Sequence, residues 1–172
     1  MLPAHQVLKI KYFTAHVSSR PGDPDIPARQ QVYLRALRTI PNLEIILGQF
    51  VQHHVRLPVV GTNPVQFATV LRTDEKGSDV NLASHLLNDG HNWRYEAAVI
   101  LSDDSDLGEP IRMVKEELKL ITGILTSKQR PSRSLLPHAT FYKQIREGVL
   151  RASQFHDQLT HNAGTFRKPS TW

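Results

Sequence analysis

Asp103, Asp104 and Asp106 fall within four consecutive positions, directly after the apolar run Ala97-Ala98-Val99-Ile100-Leu101. Carboxylates crowded in this way repel one another unless a cation joins them. Asp104 and Asp106, two apart on a turn, can aim their oxygens into one crevice. Asp79 opens a different helical stretch and becomes a third donor if its turn lies on the same sheet edge. Hard oxygen donors around a small cavity suit Mg²⁺ or Mn²⁺. Such an ion lowers the pKa of a coordinated water and screens charge on a phosphoryl group, which is the chemistry of phosphodiester hydrolysis. Helix N-capping is the competing explanation, worth about 1 kcal/mol. It accounts for Asp79 or Asp106 singly, but not for three aspartates in four positions.

Other chemistries have little to stand on. The chain has no cysteine, which removes disulfides, thiolate zinc sites, iron–sulfur clusters and thiol catalysis. It carries no G-x-G-x-x-G, no P-loop, no H-E-x-x-H and no G-x-S-x-G. His53 and His54 are adjacent, so on a strand they point to opposite faces. Lys128, Arg130 and Arg133, with Ser132 and Ser134, form a basic loop that suits RNA phosphates or else is simply solvated. Trp93, in the polar stretch His91-Asn92-Trp93-Arg94, is a surface candidate for base stacking, whereas Tyr12, Phe13 and Tyr95 read as core.

Charge is unevenly distributed along the 172 residues, which hold 21 Lys and Arg against 16 Asp and Glu, a net +5. Residues 1–71 carry +4, residues 72–106 carry −5 and residues 107–172 carry +6. A basic balance suits a polyanion partner. The acidic island between the basic flanks suits a divalent cation, or is chance clustering on a solvated surface. The longest apolar runs are far too short to span a bilayer, and no basic-then-apolar leader is visible at Met1, so a cytoplasmic protein with no membrane partner is expected.

The elements that must position these residues follow from periodicity. Val7 to Ala15 reads as a strand, Ser18 to Pro27 as a loop, Ala28 to Thr39 as an amphipathic helix and Leu43 to Val51 as a strand, with Gly48 marking a bulge or close approach. His53 to Pro64 reads as irregular and Val65 to Leu71 as a further extended piece. Ser78 to Asn88 is a helix that Gly90 caps. Tyr95 to Leu101 has the continuous apolarity of a central parallel strand covered on both faces. Leu107 to Leu118 follows as a helix, with Asp106 and Glu109 at capping-box spacing. Leu120 to Leu125 and Ala139 to Ile145 are strands, Glu147 to Gln158 a final helix, and His161 to Trp172 an irregular tail. This alternation predicts a single α/β domain over residues 1–160, a parallel sheet with helices on both faces, followed by a tail over 161–172. In such sheets ligands bind beyond the carboxyl ends of the strands, where the aspartate cluster falls.

Two blocks carry a family resemblance. Glu75-Lys76-Gly77-Ser78-Asp79 and Ser102-Asp103-Asp104-Ser105-Asp106 match the E-K-G-x-D and S-x-D-S-D patterns of the NYN domain family, part of the PIN-like nucleases. Tyr12 to Ala15, Arg29 to Leu37 and Lys168 to Trp172 also resemble bacterial members, so the similarity runs along essentially the whole chain. The resemblance implies a Rossmann-like, PIN-like three-layer fold and Mg²⁺- or Mn²⁺-dependent cleavage of RNA. It implies that Asp79, Asp104 and Asp106 hold the metal, that Glu75 is an accessory acid, and that Ser102 and Ser105 orient the turn. Asp103 occupies a variable place in the pattern. Family members open with a strand ending D-G-x-N, and no D-G-x-N occurs here. The expectation is therefore a fold that is N-terminally incomplete, lacking the first strand and helix and with them one carboxylate, and either folding poorly, self-associating across the gap, inactive, or a non-catalytic RNA- or protein-binding module. An unrelated phosphatase or sugar-phosphate site is the remaining alternative.

Overall fold

The computed structural model describes residues 5–20, 22–128, 132, 134–162 and 164–172. The chain begins with β1 (Ile10–Ala15), α1 (Ile26–Leu37), β2 (Leu43–Pro58), β3 (Phe67–Lys76) and α2 (Ser78–His91). It continues with β4 (Ala97–Leu101), a 3₁₀ turn (Ser105–Leu107), α3 (Gly108–Glu116) and β5 (Ile121–Thr126). A second 3₁₀ turn (Leu136–His138), β6 (Phe141–Gln144), α4 (Glu147–Ala152), β7 (Gln158–His161) and β8 (Gly164–Arg167) complete it.

The fold is mixed α/β, with the parallel sheet β4-β5-β6 flanked by helices. A second sheet has the order β1-β2-β3, and β7-β8 is a separate hairpin. The second sheet departs from the expected parallel alternation. β1 and β2 are parallel, from Ile10↔Leu43 to Ala15↔Gly48, but β2 then runs on through the stretch read as irregular. From Gln49↔Lys76 to Pro58↔Phe67 it pairs antiparallel with β3. Val51, Val55 and Leu57 alternate with polar residues, a strand pattern that the paired histidines and the later prolines obscured.

One helix serves both larger sheets. On β1, Lys11 and Phe13 point to α2, where Lys11 pairs with Asp89 and the Phe13 ring lies 5.7 Å from that of His85. Tyr12 points the other way and meets Tyr33 of α1 edge-on at 6.1 Å, so β1 has a helix on each face. On β4, Leu86 of α2 joins Ile100, Leu107, Ile111, Val114, Ile124 and Leu135 in the main core. Burying each such side chain contributes about 1.5–3 kcal/mol. β1 and β4 share α2, yet among the described residues no backbone ladder joins them, and each keeps one unpaired edge.

Several expected elements are corrected. Tyr95–Leu101 is not a central strand covered on both faces: β4 is an edge, Ile100 is buried, and Val99 and Leu101 on the opposite face are 40% and 65% exposed. Continuous apolarity therefore marks a strand that lacks cover on one side here, not a fully enclosed one. Gly90 does not cap α2 but lies inside it, where a Cβ would meet the Tyr95 hydroxyl at 2.7 Å, and Asn92 takes the cap. The last helix stops at Ala152, well short of Gln158. The tail read as irregular contains β8 and folds back on α1. The Arg35 guanidinium stacks 4.3 Å from the Phe166 ring, and Trp172 meets Tyr33 edge-on at 6.0 Å. Among the described residues no helix is long and apolar enough to cross a membrane.

Candidate acidic site at the sheet edge

The acidic site is assembled by two chain turns. At the first, β3 ends at Lys76 and α2 starts at Ser78, with Gly77 between them at φ 92°. That left-handed conformation is open to glycine at little cost. Gly48 of β2 lies against the same turn, and a Cβ there would sit 2.6 Å from the Lys76 carbonyl oxygen. The expected close approach at Gly48 is thus present, and it brings β2 against the start of α2. Asp79 lies in the first turn of α2 and makes no capping bond there, so its charge meets the positive helix end without satisfying a backbone N–H. Glu75, at the end of β3, accepts a short hydrogen bond from the Ser78 hydroxyl.

The second turn follows β4. The Ser102 hydroxyl accepts from the Asp104 N–H at 3.1 Å, and Asp104 Oδ1 accepts from the Asp106 N–H at 2.9 Å. Asp104, not Asp106, is therefore the capping residue, and the expected capping box between Asp106 and Glu109 is not formed. Glu109 instead grips Arg112, which also reaches Glu116 and Glu117. Ser105 opens the 3₁₀ turn that carries Asp106.

The two turns face each other electrostatically. Partial burial first, then the carboxylates of Asp104, Glu75 and Asp106, push the Asp79 carboxyl above the usual carboxylate range. An acid with a raised folded pKa opposes folding at pH values above that pKa. The opposition fades as pH falls and is gone below the ordinary value of 3.8, where both states are protonated. Asp79→Asn is accordingly expected to stabilise the protein at pH 7, by about 0.5 kcal/mol for so exposed a group. Paired thermal melts at pH 7 and pH 3.5 check it: the gain appears at the first pH and vanishes at the second.

Asp103 has a different job from its neighbours. Its side chain is 14% exposed, and its Oδ2 accepts from the Thr126 hydroxyl at 2.6 Å and lies 3.7 Å from Lys128 Nζ. Its Oδ1 is buried and has no hydrogen-bond partner among the described residues. Thr126 was not legible as a site residue, although a threonine closing the apolar run Ile121 to Leu125 is the available signal. Of the basic loop, Lys128 reaches this edge through Asp103, while Arg130 and Arg133 lie outside the described residues. Trp93 is 77% exposed, as a surface residue, but on the turn after α2.

Hard carboxylate donors are the right chemistry for Mg²⁺ or Mn²⁺. Among the described residues, however, no three His, Asp or Glu side chains stand close enough to hold one ion as a preformed set. The donor set therefore fits an ion held by one or two carboxylates with retained waters, the usual habit of Mg²⁺. Two apolar clefts among the described residues lie elsewhere. One is lined by Leu87, His91, Met113 and Leu118, and the other lies between α1 and the C-terminal hairpin.

No protein-family model matches the chain. Among curated proteins it is 28% identical to 6-hydroxy-3-succinoylpyridine 3-monooxygenase HspA of Pseudomonas putida, over 95% of this chain. The chain spans 57% of that relative's length. Among solved structures it resembles a protein of unknown function from Vibrio parahaemolyticus with a TM-score of 0.56 and 15% identity, covering 83% of this chain and 71% of that one. The second likeness concerns the fold alone.

Proposed function

We propose that the chain is a PIN-like, metal-dependent ribonuclease domain of the NYN type, in which Asp79, Asp104 and Asp106 hold the ion, one or two of them directly and the others through its retained waters. The observation that carries this reading is the convergence of two separate turns, such that Asp79 feels the charge of Glu75, Asp104 and Asp106 together. Without a cation that arrangement is repulsive. A bound Mg²⁺ or Mn²⁺ supplies a water of lowered pKa and screens the charge that develops on the phosphoryl oxygens. The residues' own tasks are simpler. Asp104 holds the turn in shape through Asp106. Glu75 is held by Ser78 beside Asp79, and Asp103 keeps Lys128 at the same edge, where its ammonium can meet a phosphate.

The finer fold belongs to the same reading. A Rossmann-like sheet would be continuous from β3 to β6 if one further parallel strand lay between the unpaired edges of β1 and β4. The D-G-x-N strand of NYN proteins would be that strand. Labelled single-stranded RNA incubated with Mn²⁺ tests the activity: cleavage that stops on adding EDTA is expected, and cleavage indifferent to EDTA sinks the metal role. RNA binding with a steep salt slope but no cleavage would instead indicate the non-catalytic module.

A second reading rests on the likeness to the monooxygenase over nearly the whole chain. It makes this domain part of an enzyme that oxygenates a hydroxylated pyridine. Oxygen uptake dependent on 6-hydroxy-3-succinoylpyridine and a reductant, with no action on RNA, would decide for it.

A further inference from the structure

We infer that the free edge of β3 is a self-association surface, on which a second copy of this chain adds its own β3 antiparallel. This surface lies on the β2–β3 ribbon and does not depend on the proposed activity. Among the described residues β3 has β2 as its sole strand neighbour, and none of them pairs with its outer edge along its ten residues. The distal half, Phe67-Ala68-Thr69-Val70-Leu71, holds no charge and no proline. Sheet edges are normally blunted by lysines, prolines or bulges, and this segment has none of them. Phe67 and Leu71 are each 52% exposed, and Val70 is 38% exposed.

The hydrogen-bond phase decides which residues can pair. The Val59 N–H donates to the Gln66 carbonyl at 2.9 Å, and the β2–β3 register continues from there without a bulge. Alternate residues of an antiparallel pair turn their backbone groups toward the partner. Ala68 and Val70 therefore bond to β2, while Phe67, Thr69 and Leu71 present free N–H and C=O groups outward.

Those outward groups are self-complementary about a two-fold axis at Thr69. Thr69 then faces Thr69 of the second copy, and Phe67 faces Leu71 of the second copy on either side. Each of these is a pair that exchanges two backbone bonds. The intervening residues match as well, with Ala68 opposite Val70 of the second copy. Aromatic–aliphatic and Thr–Thr pairs are favourable across strands. The nearest charge on β3, Arg72, falls opposite Gln66 of the second copy, so no like charges meet. The five residues carry no charge of their own, and the neighbouring cation on β2, Arg56, lies over the Phe67 ring at 4.9 Å, so a polyanion as occupant is an outcome of the test below. An isologous contact of this kind closes as a dimer and does not propagate. Five paired residues bury less than the roughly 800 Å² per partner of a standard interface, so the dissociation constant is expected to be roughly 10–100 µM.

Sedimentation analysis of the full chain across that range tests the surface. The wild type should move from monomer toward dimer. Thr69→Lys and Thr69→Glu should each weaken association roughly tenfold or more, because each puts like charges opposite at the axis. An equimolar mixture of the two variants should re-associate, which a merely misfolded variant would not do. Amide exchange of the wild type should slow at Phe67, Thr69 and Leu71 as concentration rises. A wild type that stays monomeric with concentration-independent exchange overturns the inference. So does a Lys variant that dimerises normally, or a mixture that fails to re-associate. A monomeric wild type whose Thr69→Lys form binds single-stranded RNA more tightly would likewise overturn it, and would give the ribbon to nucleic acid.

Discussion

Asp104→Asn is expected to reduce Mn²⁺-dependent RNA cleavage roughly a thousandfold, about 4 kcal/mol of barrier, while leaving the fold intact. The substitution separates two tasks that one side chain performs. As a cap, Asp104 needs only an oxygen to accept the Asp106 N–H, and asparagine keeps that oxygen. As a proposed metal holder it needs a negative charge, which asparagine lacks. A structural role alone therefore leaves Asp104→Asn nearly silent, whereas Asp104→Ala, which removes the cap, costs about 1 kcal/mol of stability. Single-turnover cleavage of end-labelled RNA, beside thermal melts of both variants, gives the answer. An asparagine variant that cleaves like wild type removes Asp104 from the chemistry.

The largest stability effect is expected at Asp89. This residue sits near the end of α2 with its side chain 12% exposed. One carboxylate oxygen takes Lys11 from β1, and the other takes Arg94 at 3.1 Å from the segment beyond the helix. Asp89→Ala leaves the Lys11 ammonium, 16% exposed, without its carboxylate, at an expected cost of about 3 kcal/mol. Removing both charges as Lys11→Met with Asp89→Leu should recover most of that loss, because the buried pair itself gains little over apolar packing. The pH dependence has a definite sign. Burial raises the Asp89 carboxyl, but Lys11 and then Arg94 outweigh it and hold the group below the ordinary 3.8. The stabilisation is therefore complete above that ordinary value and disappears as pH falls through the lower folded one. Urea unfolding of wild type and Asp89→Ala at pH 7 and pH 2.5 should show a wide gap in midpoint that narrows in acid. An equal gap at both pH values would contradict the pairing.

The aspartate turn was legible because its signal is local. A short apolar run followed by Ser-Asp-Asp-Ser-Asp must end a strand and begin a turn, and the backbone bonds from Asp104 and Asp106 stay within that turn. Gly48 was legible for a similar reason, as a lone glycine in a strand. What was lost is non-local. The β2–β3 ribbon depends on residues up to 27 apart finding each other, from Gln49 to Lys76, and the pattern in either strand alone is too weak to announce it. The β7–β8 hairpin hides in a polar stretch whose anchors, Tyr33 and Arg35, belong to α1. By position Asp103 is one more carboxylate of the cluster, and only the motif pattern set it outside the metal-holding residues. Its partner Thr126 lies 23 residues away on a neighbouring strand, and that contact sets it apart from its neighbours.

The sharing of α2 by two unjoined sheets bears on how the molecule loosens. Without a ladder from β1 to β4, motion passes between the two halves through side chains on one helix, chiefly Leu86 on one side and the Asp89 grip on the other. Thr122, Ile124 and Thr126 of β5 are 0–1% exposed, so the β4–β6 half holds the slowest amide protons, and the β1–β3 half can breathe while it stays shut. Since Glu75 hangs from the looser half and Asp104 from the tighter one, the separation of the two acidic turns is expected to vary within the native ensemble.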